Sequence, residues 1–211
     1  VATNHTFTGS PNQIGFFNGI NSNLGLNSGI FLSTGDIFDV VGPNNSGSTS
    51  TSYNWTPYGA GDPTLNTLIS STTNDAAVLE FEFTATSNTF SFNYVFGSEE
   101  YLEYVDEFND AFGFFISGPN PSGGNYVNQN LAIVPGTTNL PVTIDNVNDE
   151  DNSSYYVNNG NGNSSPQNTD TNAIQFDGFT TSLTALASVV CGENYQIKLA
   201  VADAADHQYD S

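Results

Sequence analysis

Val78-Leu79-Glu80-Phe81-Glu82-Phe83 and, after a short polar stretch, Phe90-Ser91-Phe92-Asn93-Tyr94-Val95-Phe96 are the segments that decide the fold. In the first, Leu79, Phe81 and Phe83 fall on one face of an extended chain, with Glu80 and Glu82 on the other. In the second, Phe90, Phe92, Tyr94 and Phe96 repeat the pattern. A period of two marks a half-buried strand, because successive side chains of an extended backbone point to opposite faces. Thr84 to Asn88 is polar and short, so the two runs are expected to form a hairpin with an aromatic inner face and a polar outer face.

Outward from this pair, strand patterns recur at Ser28–Val41, Ala111–Ser117, Leu131–Val134, Pro141–Val147, Ala173–Thr180, Leu183–Val190 and Tyr195–Ala202. Gly42-Pro43-Asn44, Gly118-Pro119-Asn120-Pro121 and Pro135-Gly136-Thr137 are turn signals between them. Helical spacing is confined to Pro63–Ser70, through Leu65, Leu68 and Ile69. The expected fold is therefore all-β: a jelly-roll-like antiparallel β-sandwich with long acidic and Asn/Ser/Gly-rich loops. Asn152–Asn172 reads as a surface excursion, because strand patterns resume after it, so residues 1–211 are taken as one domain. Val1–Gly9 already reads as a strand, and Tyr209-Asp210-Ser211 stands where an acidic loop should hand over to another. A terminal strand is thus expected from a longer chain or a neighbour.

Charge sets the next constraint. Lys198 is the only basic residue apart from two histidines, against 22 Asp and Glu, for a net charge of -21. Nucleic acid and anionic membrane surfaces are excluded as partners, since both require cationic side chains. No apolar run approaches the roughly 20 residues of a membrane span, and no basic-then-apolar leader opens the sequence. Cys191 stands alone, which rules out an internal disulfide and a Cys-rich zinc site; it is expected to pack as a small apolar residue. The Asn, Ser and Thr content with almost no lysine points to an extracellular or cell-surface location.

The acids are clustered. Glu99, Glu100, Glu103, Asp106, Asn109 and Asp110 crowd a segment between two strand patterns, and Asp203, Asp206 and Asp210 follow the last one. Ca2+ takes six to eight oxygens from carboxylates, amides and carbonyls. These nine residues are the candidate metal ligands and Ca2+ the expected cofactor, against the plainer alternative of a solvated acidic rim. Asp145–Asp151 reads at least as well as an exposed acidic turn as it does as a ligand loop, and Asp149-Glu150-Asp151-Asn152-Ser153-Ser154 lacks the glycine and distal glutamate of an EF-hand.

Catalysis finds little support. Glu80 and Glu82 would have Cα atoms about 6.7 Å apart on a wet face, where nothing raises the pKa of a general acid. Extended, Glu99 and Glu100 would point to opposite faces. No Gly-x-Ser-x-Gly elbow occurs, and His5 and His207 are read as surface histidines. The chain is expected not to be an enzyme. Tyr53, Trp55 and Tyr58 form an aromatic loop cluster that either anchors the loop or stacks on a sugar ring.

Ser28–Asp36, Gly42-Pro43-Asn44, Gly61-Asp62, Asp75–Phe81, Tyr94–Tyr101, Phe108–Phe115, Pro135-Gly136-Thr137, Val142–Asn148, Asp177–Thr180 and Ile197–Asp203 together resemble the choice-of-anchor L domain, in that family's order and over most of the chain. The resemblance implies a secreted or surface-exposed bacterial protein with no established catalytic activity. The expected function is an extracellular structural or adhesive module, Ca2+-stabilised, that serves as a subunit of a surface assembly or filament. Its expected partners are like subunits or other cell-surface proteins. The alternative is a Ca2+-dependent carbohydrate-binding module with glycans as ligands.

Overall fold

Alternation yields twelve strands in the computed structural model, which describes Val1–Ser211: β1 (Ala2–Thr8), β2 (Ile14–Asn18), β3 (Ser28–Leu32), β4 (Thr73–Thr84), β5 (Thr89–Tyr94), β6 (Gly97–Ser98), β7 (Ala111–Pro119), β8 (Asn125–Asn130), β9 (Tyr156–Asn158), β10 (Gly178–Thr180), β11 (Leu183–Ser188) and β12 (Asn194–Ala204). Five form an antiparallel sheet in the order β1-β4-β12-β7-β8. Against it stand the pair β11-β5, the small sheet β6-β10-β9 and the hairpin β2-β3. The expected all-β class and sandwich layering are what the chain adopts. The helical hint at Pro63–Ser70 contracts to a single 3-10 turn, Leu65–Thr67, whose Leu65 is fully buried.

The central strands are covered on both sides. On β12, Tyr195, Ile197 and Val201 enter the main core with Tyr94, Phe112, Phe114, Ile116, Leu183 and Ala185. The intervening Ala200, Ala202 and Ala204 pack on the opposite face with Leu65, Ile69, Val78 and Phe115. Burial on both faces removes the polar alternation, which is why Leu199–Ala202 reads as one apolar run.

The expected hairpin is corrected. β4 pairs with β1 and β12, whereas β5 pairs with β11. The polar turn between them carries the chain from one layer to the other, and the two aromatic faces meet across the core. Phe83 stacks on Phe90 with centroids 4.6 Å apart, and Phe92 meets Phe114 edge-on at 4.1 Å. Facing each other, both sets of rings leave water; side by side, one flank of each would stay wet.

Four other expected strands are shorter or absent, and of Ser28–Val41 only Ser28–Leu32 is a strand. Leu131–Val134 and Pro141–Val147 contribute buried side chains but only isolated bridges, Ile133 to Pro141 and Ala111 to Thr143. Of Ala173–Thr180 only Gly178–Thr180 is a strand. Cys191, expected inside, is exposed in the turn before β12, where its N–H reaches Asn88 Oδ1 at 3.3 Å.

Phe114 is 6% exposed and touches the rings of Phe92, Tyr94 and Phe112, so Phe114→Ala is expected to cost about 3–5 kcal/mol in urea unfolding. Phe16 is 90% exposed, and Phe16→Ala should change stability by less than about 0.5 kcal/mol. Equal effects of the two would show that the core does not lie between these layers.

Candidate metal centre

The register of β12 against its neighbours places acids at one end of the large sheet. Ala202 lies opposite Ala111, and Asp203 opposite Asn74. One step beyond the β12–β7 ladder sets Asp203 against Asp110. Asp110 is fully buried: Oδ1 accepts from Ala204 N at 2.9 Å and Oδ2 from Ser211 Oγ at 2.7 Å. Asp203 is 1% exposed and neither of its carboxylate oxygens is hydrogen-bonded. The Thr34 hydroxyl lies near Asp203 without closing a bond to it, and accepts instead from Ser211 N at 2.9 Å.

Glu100 and Asp210 complete this end. Glu100 is buried beside Asp110 and leaves Oε2 unpartnered. Asp210 takes the Thr51 N–H between its two oxygens, at 3.1 and 3.0 Å. Its approach depends on Gly35, where a Cβ would stand 1.9 Å from Asp210 Oδ2. Glu99 and Asp177 are likewise buried, and each leaves one oxygen, Oε2 and Oδ2 respectively, without a partner.

Burial dominates the electrostatics. It pushes the Asp110 carboxyl up to about 7 against the opposing pull of Ser211 and Ala204. It raises Asp210 to about 8 despite the Thr51 N–H, and Glu99 to about 8 despite the Thr49 N–H. Asp177 rises to about 7, with Asn44 opposing. Glu100 reaches about 11 and Asp203 lies well above its ordinary range, each through burial first and the Asp110 charge second. No cation within the chain relieves them. Lys198 sits five residues earlier on β12, roughly 16 Å along the strand, and its Nζ is taken by Asp62 Oδ2 and Thr64 Oγ1.

The nine expected ligands divide accordingly. Glu99, Glu100, Asp110, Asp203 and Asp210 are buried, while Glu103 and Asp106 face solvent. Asn109 Oδ1 accepts from Asp145 N at 3.2 Å, and Asp206 Oδ1 from Gln208 N at 3.0 Å. No three Asp, Glu, His or Cys side chains converge as a finished cage. The buried acids stand in pairs, so an ion held there would draw also on amide, carbonyl and water oxygens.

Sequence reading missed Asp177 and Asp75. Both open segments that carry the family resemblance, but neither lies in an acidic cluster, and the partners of each come from distant parts of the chain. Asp75 is fully buried at φ +49, with Oδ2 accepting from Tyr53 N at 2.9 Å and Oδ1 2.7 Å from His207 Nδ1. His207 is therefore the partner of a buried carboxylate, not the free surface histidine expected. Ser52 Oγ donates to the His207 backbone carbonyl, leaving no serine on the ring.

The aromatic cluster splits by exposure. Tyr53 is buried as an anchor, with Trp55 tilted against it at 5.4 Å and Tyr58 edge-on at 6.2 Å, and Trp55 is 51% exposed. Elsewhere an apolar cleft of about 620 Å³ opens between β3, β5 and the large sheet, lined by Phe31, Phe92, Phe96, Phe112 and Phe179 among others.

A pH dependence follows for the cation-free protein. Groups whose folded pKa is raised contribute stability that is complete below their ordinary value, about 4, and lost as pH rises through the folded value. With Asp110 and Asp177 near 7 and Asp210 and Glu99 near 8, the melting temperature in chelator should fall between about pH 4 and pH 8. A flat profile over that range would show that these carboxyls are solvated.

No helix is long and apolar enough to cross a membrane. Comparison with curated proteins and with solved structures gives no match. The model of the choice-of-anchor L domain matches residues 1–211. With the whole length matched, the chain belongs to the choice-of-anchor L domain family, which makes it a surface-associated bacterial protein.

Proposed function

We propose that this chain is an extracellular structural or adhesive module whose loop end is held together by Ca2+, and that it works as a subunit of a surface assembly. The observation that carries the reading is the Asp203–Asp110–Glu100 group: three buried carboxylates, of which Asp203 leaves both oxygens and Glu100 leaves Oε2 without a partner, with no cationic side chain among them. Burying unpaired carboxylates costs several kcal/mol each, and a hard divalent cation with oxygen ligands relieves that cost without help from the sequence. A surface location suits this, because extracellular Ca2+ modules work at dissociation constants of about 10⁻⁴–10⁻³ M. A non-catalytic role is supported by His207, whose Nδ1 faces Asp75 while Ser52 bonds only its carbonyl.

Association between copies would cover the apolar cleft beside β3 and β5. Light scattering should then show mass rising with concentration, whereas a monomer at every concentration would remove the assembly role. The carbohydrate-binding alternative rests on the exposed face of Trp55. A specific glycan bound by the protein and lost in Trp55→Ala would favour it over the structural reading.

Ca2+ at 100 times its dissociation constant should add about 2.7 kcal/mol, which for a chain of this size raises the melting temperature by roughly 5–10 °C. Mg2+, which demands a strict octahedral shell and retains its waters, should do less. Asp203→Asn should reduce the Ca2+-dependent increment. Identical melting curves in chelator and in millimolar Ca2+ would overturn the metal role.

A further inference from the structure

A second pair of acids repeats the arrangement at the end of a different ladder. Ser98 of β6 lies opposite Gly178 of β10, so the next step sets Glu99 opposite Asp177. Side chains directly across an antiparallel pair have Cβ atoms about 4.5–5.5 Å apart, and like charges there are destabilising. Both residues are buried, at 0% and 1% exposure.

Each carboxylate is fixed through one oxygen and left open at the other. Glu99 Oε1 accepts from Thr49 N at 2.9 Å and from Gln175 Nε2 at 3.4 Å. Asp177 Oδ1 accepts from Asn44 Nδ2 at 2.9 Å. Gln175 Nε2 also reaches Asn44 Oδ1 at 3.3 Å, so an amide relay joins the two acids. Glu99 Oε2 and Asp177 Oδ2 have no partner. Orientation of a carboxylate by outer hydrogen bonds, with one oxygen left free, is how ligating carboxylates are held. Gly47 passes close to this end of the pair: a Cβ there would crowd the Asn161 carbonyl oxygen at 2.8 Å and stand at ordinary contact distance, 3.6 Å, from Asp177 Oδ2.

We propose that Glu99 Oε2 and Asp177 Oδ2 ligate a Ca2+ of their own, a centre separate from Asp110–Asp203. Backbone carbonyls of the adjoining loops and water complete its shell. All the donors are oxygens, with no histidine or cysteine among them, which favours Ca2+ over a transition metal. The ion fastens the loop bearing Asn44, Gly47 and Thr49 to the β6–β10 pair. This inference rests on the Ca2+ reading above and adds a site to it.

The test is calorimetric titration of the full chain with Ca2+, together with melting in chelator and in Ca2+, for the parent, Asp177→Asn, Glu99→Gln and Asp203→Asn. Asp177→Asn and Glu99→Gln should each lose one equivalent of bound Ca2+, and Asp203→Asn a different one. In chelator both should melt above the parent, because the cross-strand repulsion is gone; in Ca2+ they should gain less than the parent does. If Asp177→Asn does not fold, Glu99→Gln decides. Unchanged stoichiometry in these variants, or melting lowered equally with and without Ca2+, would reduce the pair to hydrogen-bond acceptors and overturn the second centre alone. A parent that takes up no Ca2+ overturns both centres.

Discussion

Negative charge without an internal counterion is the constraint around which the loop end of this molecule is organised. Antiparallel registers carry Asp203 to Asp110 and Asp177 to Glu99, each one step past the end of a ladder. Backbone and amide donors reach one side of three of these groups and none of them reaches Asp203. Partial solvation by N–H dipoles lowers the cost of burying a carboxylate but does not cancel it, as the raised pKa values of all four show. The charge must be met by protons or by cations from the medium. Lys198 is committed elsewhere on the same strand.

The acids can be held so deep because the sheet beneath them is covered on both faces. β12 lies between β4 and β7 and feeds one core through Tyr195, Ile197 and Val201 and another through Ala200, Ala202 and Ala204. By the time the strand reaches Asp203, neither face offers water. The arch from β4 to β5 closes the larger core by bringing Phe83 onto Phe90, and the second layer is made of three small sheets as the chain returns repeatedly to seal it.

How much of this was legible varied with the range of the interaction. Alternation at Leu79-Glu80-Phe81-Glu82-Phe83 showed which side of the strand is apolar, and that is a local property. It could not say which strand lies alongside, so an arch was read as a hairpin; both need only a short polar turn. The acidic segment was recognised from composition, yet Glu99, Glu100 and Asp110 turn inward while Glu103 and Asp106 stay out. Between them the chain bends through turns such as Tyr104 N to Glu100 O and Phe108 N to Tyr104 O, which no extended reading anticipates. Asp177 was missed because its significance is a cross-strand register with Glu99. Cys191 was misplaced because it sits in an exposed turn held by backbone bonds, its own N–H reaching Asn88, and not by burial of its side chain.

The charged end and the apolar cleft are not independent. Ser211 donates its hydroxyl to Asp110 Oδ2, donates its N–H to Thr34 Oγ1 and accepts the Thr34 N–H with its carbonyl, and it also lines the cleft. Thr34 follows closely on β3, which forms part of the cleft wall. A change in charge compensation at Asp110 therefore acts on a residue that touches both regions, through bonds of 2.7 and 2.9 Å. Asp210, the residue before it, is clamped by Thr51 and by the close approach of Gly35. Short, directional contacts of this kind transmit a displacement where a solvated rim would absorb it. On the proposed reading, the ion that relieves the buried carboxylates also sets the position of one edge of the surface available to a neighbouring subunit.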